Sequence, residues 1–169
     1  MAAIVIYYSR AGENFFAGQF RYIEKGNTEV AAEMIAAQTG AALFRAEQAA
    51  PYADEYRACV AQAKADFDSG ARPPLKAMPS GMEQYDTIYL GYPIYCGTMP
   101  MALFTLLEGV DTAGKTIRPF CTHEGSGMAR SADDIQKLCP GAKIEKSLAI
   151  LGREVKNAQA AVAAWCAEQ

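Results

Sequence analysis

The chain has 169 residues, 51% of them hydrophobic, with 16 basic and 19 acidic side chains and a net charge of −3. That length suits a single domain with its own core, and the apolar fraction excludes a disordered chain. The charge balance supplies no clustered basic face for nucleic acid, and no apolar run approaches the roughly 20 residues of a membrane helix.

Residues 3–8, Ala3-Ile4-Val5-Ile6-Tyr7-Tyr8, read as a first strand, so the N-terminal segment is expected to be strand and not a cleaved leader. Residues 11–25 form a loop unusually long for a compact domain, which marks it as functional. It carries Phe15, Phe16, Phe20 and Tyr22, too aromatic for a disordered linker, and is expected to pack near a ligand or partner. Residues 27–39 predict a helix with Val30, Met34 and Ile35 on one face and Gly40 closing it. Residues 42–46 are a weaker strand. Residues 54–68 predict a helix, because Tyr56, Cys59, Val60, Ala63 and Phe67 recur at helical spacing. Residues 71–81 hold three prolines and form a loop. A strand at 87–92 is followed by a helix at 101–108, with Pro100 suited to its first position. A strand at 116–121, a helix at 129–139 stopped by Pro140-Gly141, and a last strand within 143–151 come next. The last helix is 155–167, with Val155, Ala158, Val162 and Trp165 inward.

Near-continuous apolar strands alternating with helices predict a three-layer α/β domain: a doubly wound, five-stranded parallel sheet covered on both faces. One domain spans 1–169, with 11–25 an insertion in the first βα loop. The loops rich in chemistry follow the first, third and fourth strands. These strands are neighbours in a sheet of order 2-1-3-4-5, where ligands bind beyond the strand ends at the reversal of order.

The first of these loops begins at Ser9-Arg10 and ends at Gly26-Asn27-Thr28, where a helix starts. Its hydroxyls and helix-terminal amides make an anion site; equally, Asn27 or Thr28 could simply cap the helix. The second loop holds Pro93, Ile94, Tyr95, Cys96 and Gly97. Tyr95 could stack on a planar ring or be a surface aromatic. The third runs through Thr122, His123, Glu124, Gly125, Ser126 and Gly127, and its glycines allow close backbone approach. His123 is either structural or a hydrogen-bonding group for a ligand, and Glu124 is either part of the site or solvated. The segment lacks the third glycine and the acidic residue of a dinucleotide fingerprint. Together the loops suit one phosphate and one flat, polar-edged ring, the parts of a flavin mononucleotide.

The five cysteines, Cys59, Cys96, Cys121, Cys139 and Cys166, include no C-x-x-C, and His123 is the only histidine. No metal site is expected, and widely spaced thiols in odd number fit a reduced, cytoplasmic setting. Cys59 and Cys166 read as core, whereas Cys96 lies in a site loop.

The segments Tyr7-Tyr8-Ser9-Arg10-Ala11-Gly12-Glu13-Asn14, Gly26-Asn27-Thr28-Glu29-Val30, Gly91-Tyr92-Pro93-Ile94-Tyr95-Cys96-Gly97-Thr98-Met99-Pro100 and Phe120-Cys121-Thr122-His123-Glu124-Gly125-Ser126-Gly127 resemble those of bacterial flavodoxin-like proteins with a split phosphate loop. The resemblance runs over nearly the whole chain. It implies the flavodoxin-like fold and bound FMN, with Ser9, Asn27 and Thr28 at the phosphate and the two later loops around the ring. Such relatives often carry an aromatic pair where this chain has Tyr95-Cys96, and electron-carrier flavodoxins are far more acidic. Two functions follow: an FMN electron carrier docking a redox partner protein, or an FMN-dependent oxidoreductase using NAD(P)H and a small acceptor such as a quinone. Neither needs a catalytic side chain, since the flavin carries the redox chemistry. A phospho-receiver on the same fold is disfavoured, because Ser9-Arg10, Tyr92-Pro93 and Gly152-Arg153 stand where its acidic cluster, aspartate and lysine would be.

Overall fold

The computed structural model describes residues 2–168. In chain order the elements are β1 (Ala2–Tyr7), β2 (Gly12–Phe16), β3 (Gln19–Ile23), α1 (Asn27–Thr39), β4 (Ala42–Arg45), α2 (Tyr56–Ser69), β5 (Tyr85–Pro93), α3 (Met101–Gly109), β6 (Thr116–His123), α4 (Ser131–Leu138), β7 (Lys143–Ile144), β8 (Leu148–Leu151) and α5 (Gln159–Ala167). The main sheet runs β4-β1-β5-β6, and β7 and β8 share the outer edge of β6. Every pairing in it is parallel. Counting β7 and β8 as one position, this is the 2-1-3-4-5 order.

Alternation along the central strands sends side chains to two cores. Ile4, Ile6, Ile88, Leu90 and Ile117 pack on one face with Leu103 and Leu106 of α3 and Ile135 of α4. Val5, Tyr7, Tyr89 and Phe120 pack on the other with Ala31 and Ile35 of α1 and Val162 and Trp165 of α5. The middle of the sheet is set by one close approach. Gly91 on β5 lies in register with both Tyr7 on β1 and Phe120 on β6. The Phe120 ring fills the volume a Cβ on Gly91 would occupy.

Several local expectations shift. The α1 face that is fully buried is Thr28, Ala31, Ala32 and Ile35, with Val30 and Met34 at its margin. Pro100 precedes α3 as its N-cap instead of opening its first turn. The last strand is split, and the break falls opposite Arg118 and Pro119. A proline has no N–H for the ladder. A 3-10 turn over Gly152–Asn157 delays α5, although Val155, Ala158, Val162 and Trp165 are buried as expected.

Arg118, a charged residue buried in a strand, is held by the end of α5. Its guanidinium donates to the carbonyls of Trp165 at 2.6 Å and Cys166 at 3.4 Å. It stacks 4.7 Å from the Trp165 ring centre and lies 3.3 Å from Glu145. A cation there satisfies orphan carbonyls and complements the negative end of the helix.

The 11–25 segment is the largest departure. It is a hairpin, with Phe15 paired to Phe20 and Glu13 to Tyr22. Ala17 (φ 46°) and Gly18 (φ 83°) both adopt the left-handed conformation, as a tight two-residue turn demands.

The Gly91–Phe120 contact is testable by urea denaturation. Gly91→Ala forces the aromatic ring aside and should destabilise the protein by about 1–3 kcal/mol. Gly109→Ala, whose added methyl meets only the flexible end of Met78, should hold or raise stability. Equal midpoints for both variants would show that the ring yields freely.

Candidate functional site

The C-terminal ends of β1, β5 and β6 open into a cavity of about 580 Å³. Volumes of that order are typical of small-molecule sites. It has four walls, each set by a local feature of the sequence.

The first wall is the N-terminus of α1. Gly26 precedes it without a side-chain cap, and a Cβ there would overlap Ser9 Oγ and crowd the Arg10 carbonyl. Ser9 Oγ accepts the Glu29 amide at 3.0 Å, so it fills the capping role from a distance in sequence. The amides of Asn27 and Thr28 have no acceptor within the helix. The Thr28 hydroxyl, expected to cap the helix or to face a phosphate, is shared with the Thr122 hydroxyl at 2.8 Å. Both threonines are buried at the cavity floor, so this bond pins α1 to the end of β6.

The second wall is Pro93 to Cys96. Tyr95 and Thr98 exchange two backbone hydrogen bonds of 2.8 and 3.0 Å across a tight turn. Cys96 (φ 54°) and Gly97 (φ 76°) occupy its left-handed corners. Tyr95 lines the cavity, but its ring turns inward. It meets Tyr8 edge-on at 5.9 Å and 80°. Its hydroxyl is buried with no hydrogen-bond partner among the described residues, and burial holds its pKa well above the ordinary tyrosine value.

The third wall is the segment after β6. His123 Nδ1 accepts the amides of Gly125 at 3.0 Å and Gly127 at 3.1 Å. The imidazole is therefore neutral, with its proton on Nε2, and burial lowers its pKa below the ordinary 6.5. Gly125 (φ 147°) and Gly127 (φ 62°) have the freedom this fold-back needs. Glu124 turns towards α1. A Cβ on Gly152, just after β8, would lie 2.5 Å from Asn27 Nδ2 and 2.8 Å from Glu124 Oε1.

The fourth wall joins the hairpin to α2. Asn14 and Phe15 of β2 face Tyr56, Cys59, Val60 and Ala63 of α2 across the opening. Glu13 accepts the Tyr56 amide at 2.9 Å, and Glu55 accepts those of Arg57 and Ala58. Arg10 ties the base of the hairpin down, donating to the carbonyls of Glu13 at 3.0 Å, Ala53 at 3.0 Å and Asp54 at 2.6 Å. The hairpin tip reaches the third wall, where the Ala17 amide meets Glu124 Oε2 at 3.4 Å.

Of the residues singled out in the sequence, Arg10, Asn27, Thr28, Pro93, Ile94, Tyr95, Cys96, Thr122, His123, Glu124, Gly125 and Ser126 line this one cavity. Ser9, Gly97 and Gly127 stand behind it, as cap, turn and loop anchor respectively. Sequence reasoning expected the 11–25 segment beside a ligand, as Asn14 and Phe15 are beside this cavity, but missed the α2 half of the fourth wall and Gly152. The helical spacing of Tyr56, Cys59, Val60 and Ala63 does signal an apolar face, but that face borders the cavity, and Val60 is 45% exposed. Burial raises the pKa of both cavity thiols, Cys59 and Cys96, so neither is an activated nucleophile. Among the described residues no cluster of three His, Cys, Asp or Glu could hold a metal ion. None of the helices described is long and apolar enough to cross a membrane.

Solved structures with this fold include a protein from Bacteroides uniformis provisionally described as a flavoprotein. It is 24% identical, with a TM-score of 0.78, over 99% of this chain and 98% of that one. A flavoprotein from Lactobacillus acidophilus in complex with FMN is 17% identical, with a TM-score of 0.68, over 92% of this chain and 97% of that one. An NADH:FMN oxidoreductase in its apo form is 14% identical, with a TM-score of 0.52, over 98% of this chain and 84% of that one. No curated protein matches the chain. The family model described as flavodoxin matches residues 20–168; with the sheet order and the cavity at its switch point, that match makes the chain a member of the flavodoxin family.

Proposed function

We propose that this chain is a redox protein that binds FMN noncovalently in the 580 Å³ cavity and passes electrons through it. Support for FMN comes from the family and from the Lactobacillus acidophilus structure, which is described with FMN. The observation that carries the reading is the pairing of a helix N-terminus with two loops at the point where the sheet order reverses.

The residues present fit the group. The unpaired first amides of α1, with the Asn27 carboxamide beside them, suit a phosphate. Glu124 is an acceptor, so it suits the hydroxyls of a ribityl chain and not a dianion. Having no side chain, Gly152 lets Asn27 and Glu124 close over it, so both polar groups stand side by side where phosphate and chain would meet. The 93–96 and 123–126 loops offer backbone groups and the His123 Nε2–H to a polar ring edge. When bound, FMN supplies one- and two-electron redox chemistry. The protein's own part is to position the ring, limit water and hold a neutral donor at His123. Cysteine chemistry has no place in it.

An FMN-dependent reductase of a small acceptor, with NAD(P)H as donor, is the second reading. The hairpin favours it, because Asn14 and Phe15 wall the cavity on a side where a carrier would need only an open ring edge.

Three outcomes are expected. Denaturing the purified or reconstituted protein should release FMN, identified by mass; release of FAD, or no binding after reconstitution, would overturn the assignment. Gly152→Ala pushes the ends of Asn27 and Glu124 aside and should weaken FMN roughly 2- to 10-fold, with the unfolding midpoint little changed. Flavin fluorescence titration reads this directly, and unchanged affinity would show that neither Asn27 nor Glu124 holds the FMN. The third concerns pH. Because the folded His123 pKa is depressed, its contribution to stability is present above about 6.5 and declines as pH falls towards the folded value. An NMR titration should find the ring pKa below 6.5, with the Gly125 and Gly127 amides losing exchange protection on acidification. A ring pKa above 6.5 would refute the acceptor role of Nδ1.

A further inference from the structure

Beside the cavity lies a shallower groove of about 280 Å³, lined by Phe15, Phe20, Tyr56, Arg57 and Val60. We infer that this groove is a second binding site, for a flat ring carrying carbonyl oxygens, the chemistry of a quinone. The inference rests on the flavin reading of the neighbouring cavity.

Four observations carry it. Phe15, Tyr56 and Val60 line both spaces, so a ring in the groove lies alongside whatever fills the cavity. The aromatic side chains form a platform: Phe15 and Tyr56 are stacked at 6.0 Å and 22°, and Phe20 stands edge-on to Phe15 at 5.6 Å and 69°. Apolar surface is left open there, with Phe20 46% and Val60 45% exposed. The only charged group in the lining is Arg57, whose guanidinium sits 5.4 Å over the Phe20 ring. Its N–H fork is held where a carbonyl at the rim of a stacked ring would accept from it.

Size selects among occupants. The volume is near the lower end of the roughly 300–1,000 Å³ of small-molecule pockets, which suits one or two fused rings and not a second flavin or a dinucleotide. A docking protein would need on the order of 1,000 Å² of buried surface, and five side chains around a concavity do not supply it.

The test is calorimetric titration of menadione, a naphthoquinone, into protein saturated with FMN, with 2-methylnaphthalene as the probe lacking carbonyls. Menadione should bind more tightly than the hydrocarbon. Phe20→Ala should weaken it roughly 2- to 10-fold through the lost ring contact. Arg57→Gln should weaken menadione roughly 2- to 5-fold while leaving the hydrocarbon unchanged. Both side chains are exposed and lie outside the cavity lining, so FMN affinity should stay at the wild-type value, while Phe20→Ala, which removes a hairpin contact with Tyr56, should lower the unfolding midpoint slightly. The inference is overturned if menadione does not bind, if neither variant weakens it, if both lower FMN affinity equally, or if they abolish only capture of a protein partner. Failure of the flavin reading shows separately, as absence of bound FMN in the wild-type protein before menadione is added.

Discussion

The chain leaves the sheet at Ser9 and must return to the same spot at Gly26. With no side chain, Gly26 can lie against Ser9 Oγ and the Arg10 carbonyl, and Ser9 caps the helix that Gly26 begins. The intervening residues are thus a detour whose ends are closed on each other. Whatever they do, the N-terminus of α1 keeps its position above β1. The buried hydroxyl pair of Thr28 and Thr122 extends that fixity to β6. Cavity floor, helix dipole and third-wall loop are therefore one rigid unit.

The detour itself is less independent. A two-stranded hairpin is marginal alone in water, and this one is stabilised by α2. Phe15 and Phe20 pack on Tyr56, Glu13 caps the first amide of α2, and Arg10 binds the carbonyls just before it. In turn α2 presents Cys59, Val60 and Ala63 to the cavity. Hairpin and helix each depend on the other, and the opening between them is the cavity mouth.

Five apolar runs, most of them with β-branched residues, helical spacing between them and Gly/Pro punctuation made the sheet order and the three site loops legible. The hairpin was not. Its turn is Ala17-Gly18, and alanine rarely adopts a left-handed φ. Its aromatic residues also serve two faces, so no alternation stands out. Periodicity found the inner face of α2 but reports only that a face is apolar, not whether a core or a ligand covers it. The Thr28–Thr122 hydroxyl bond was not legible, because the two residues are 94 positions apart in sequence. Gly152 gave no signal, since what it permits is the close approach of Asn27 and Glu124, which only the folded chain brings together.

The manner in which β6 meets the last helix also bears on how the protein is made. Until α5 emerges, the Arg118 guanidinium has Glu145 beside it but not the carbonyls of Trp165 and Cys166, and the sheet face that Val162 and Trp165 cover lies open. A nascent chain that has completed β8 therefore has every strand yet no settled sheet. Ribosomal synthesis has to run to the final helix before the second core can close, so a stalled or prematurely terminated chain would be an open, protease-sensitive species and not a slightly shortened native one.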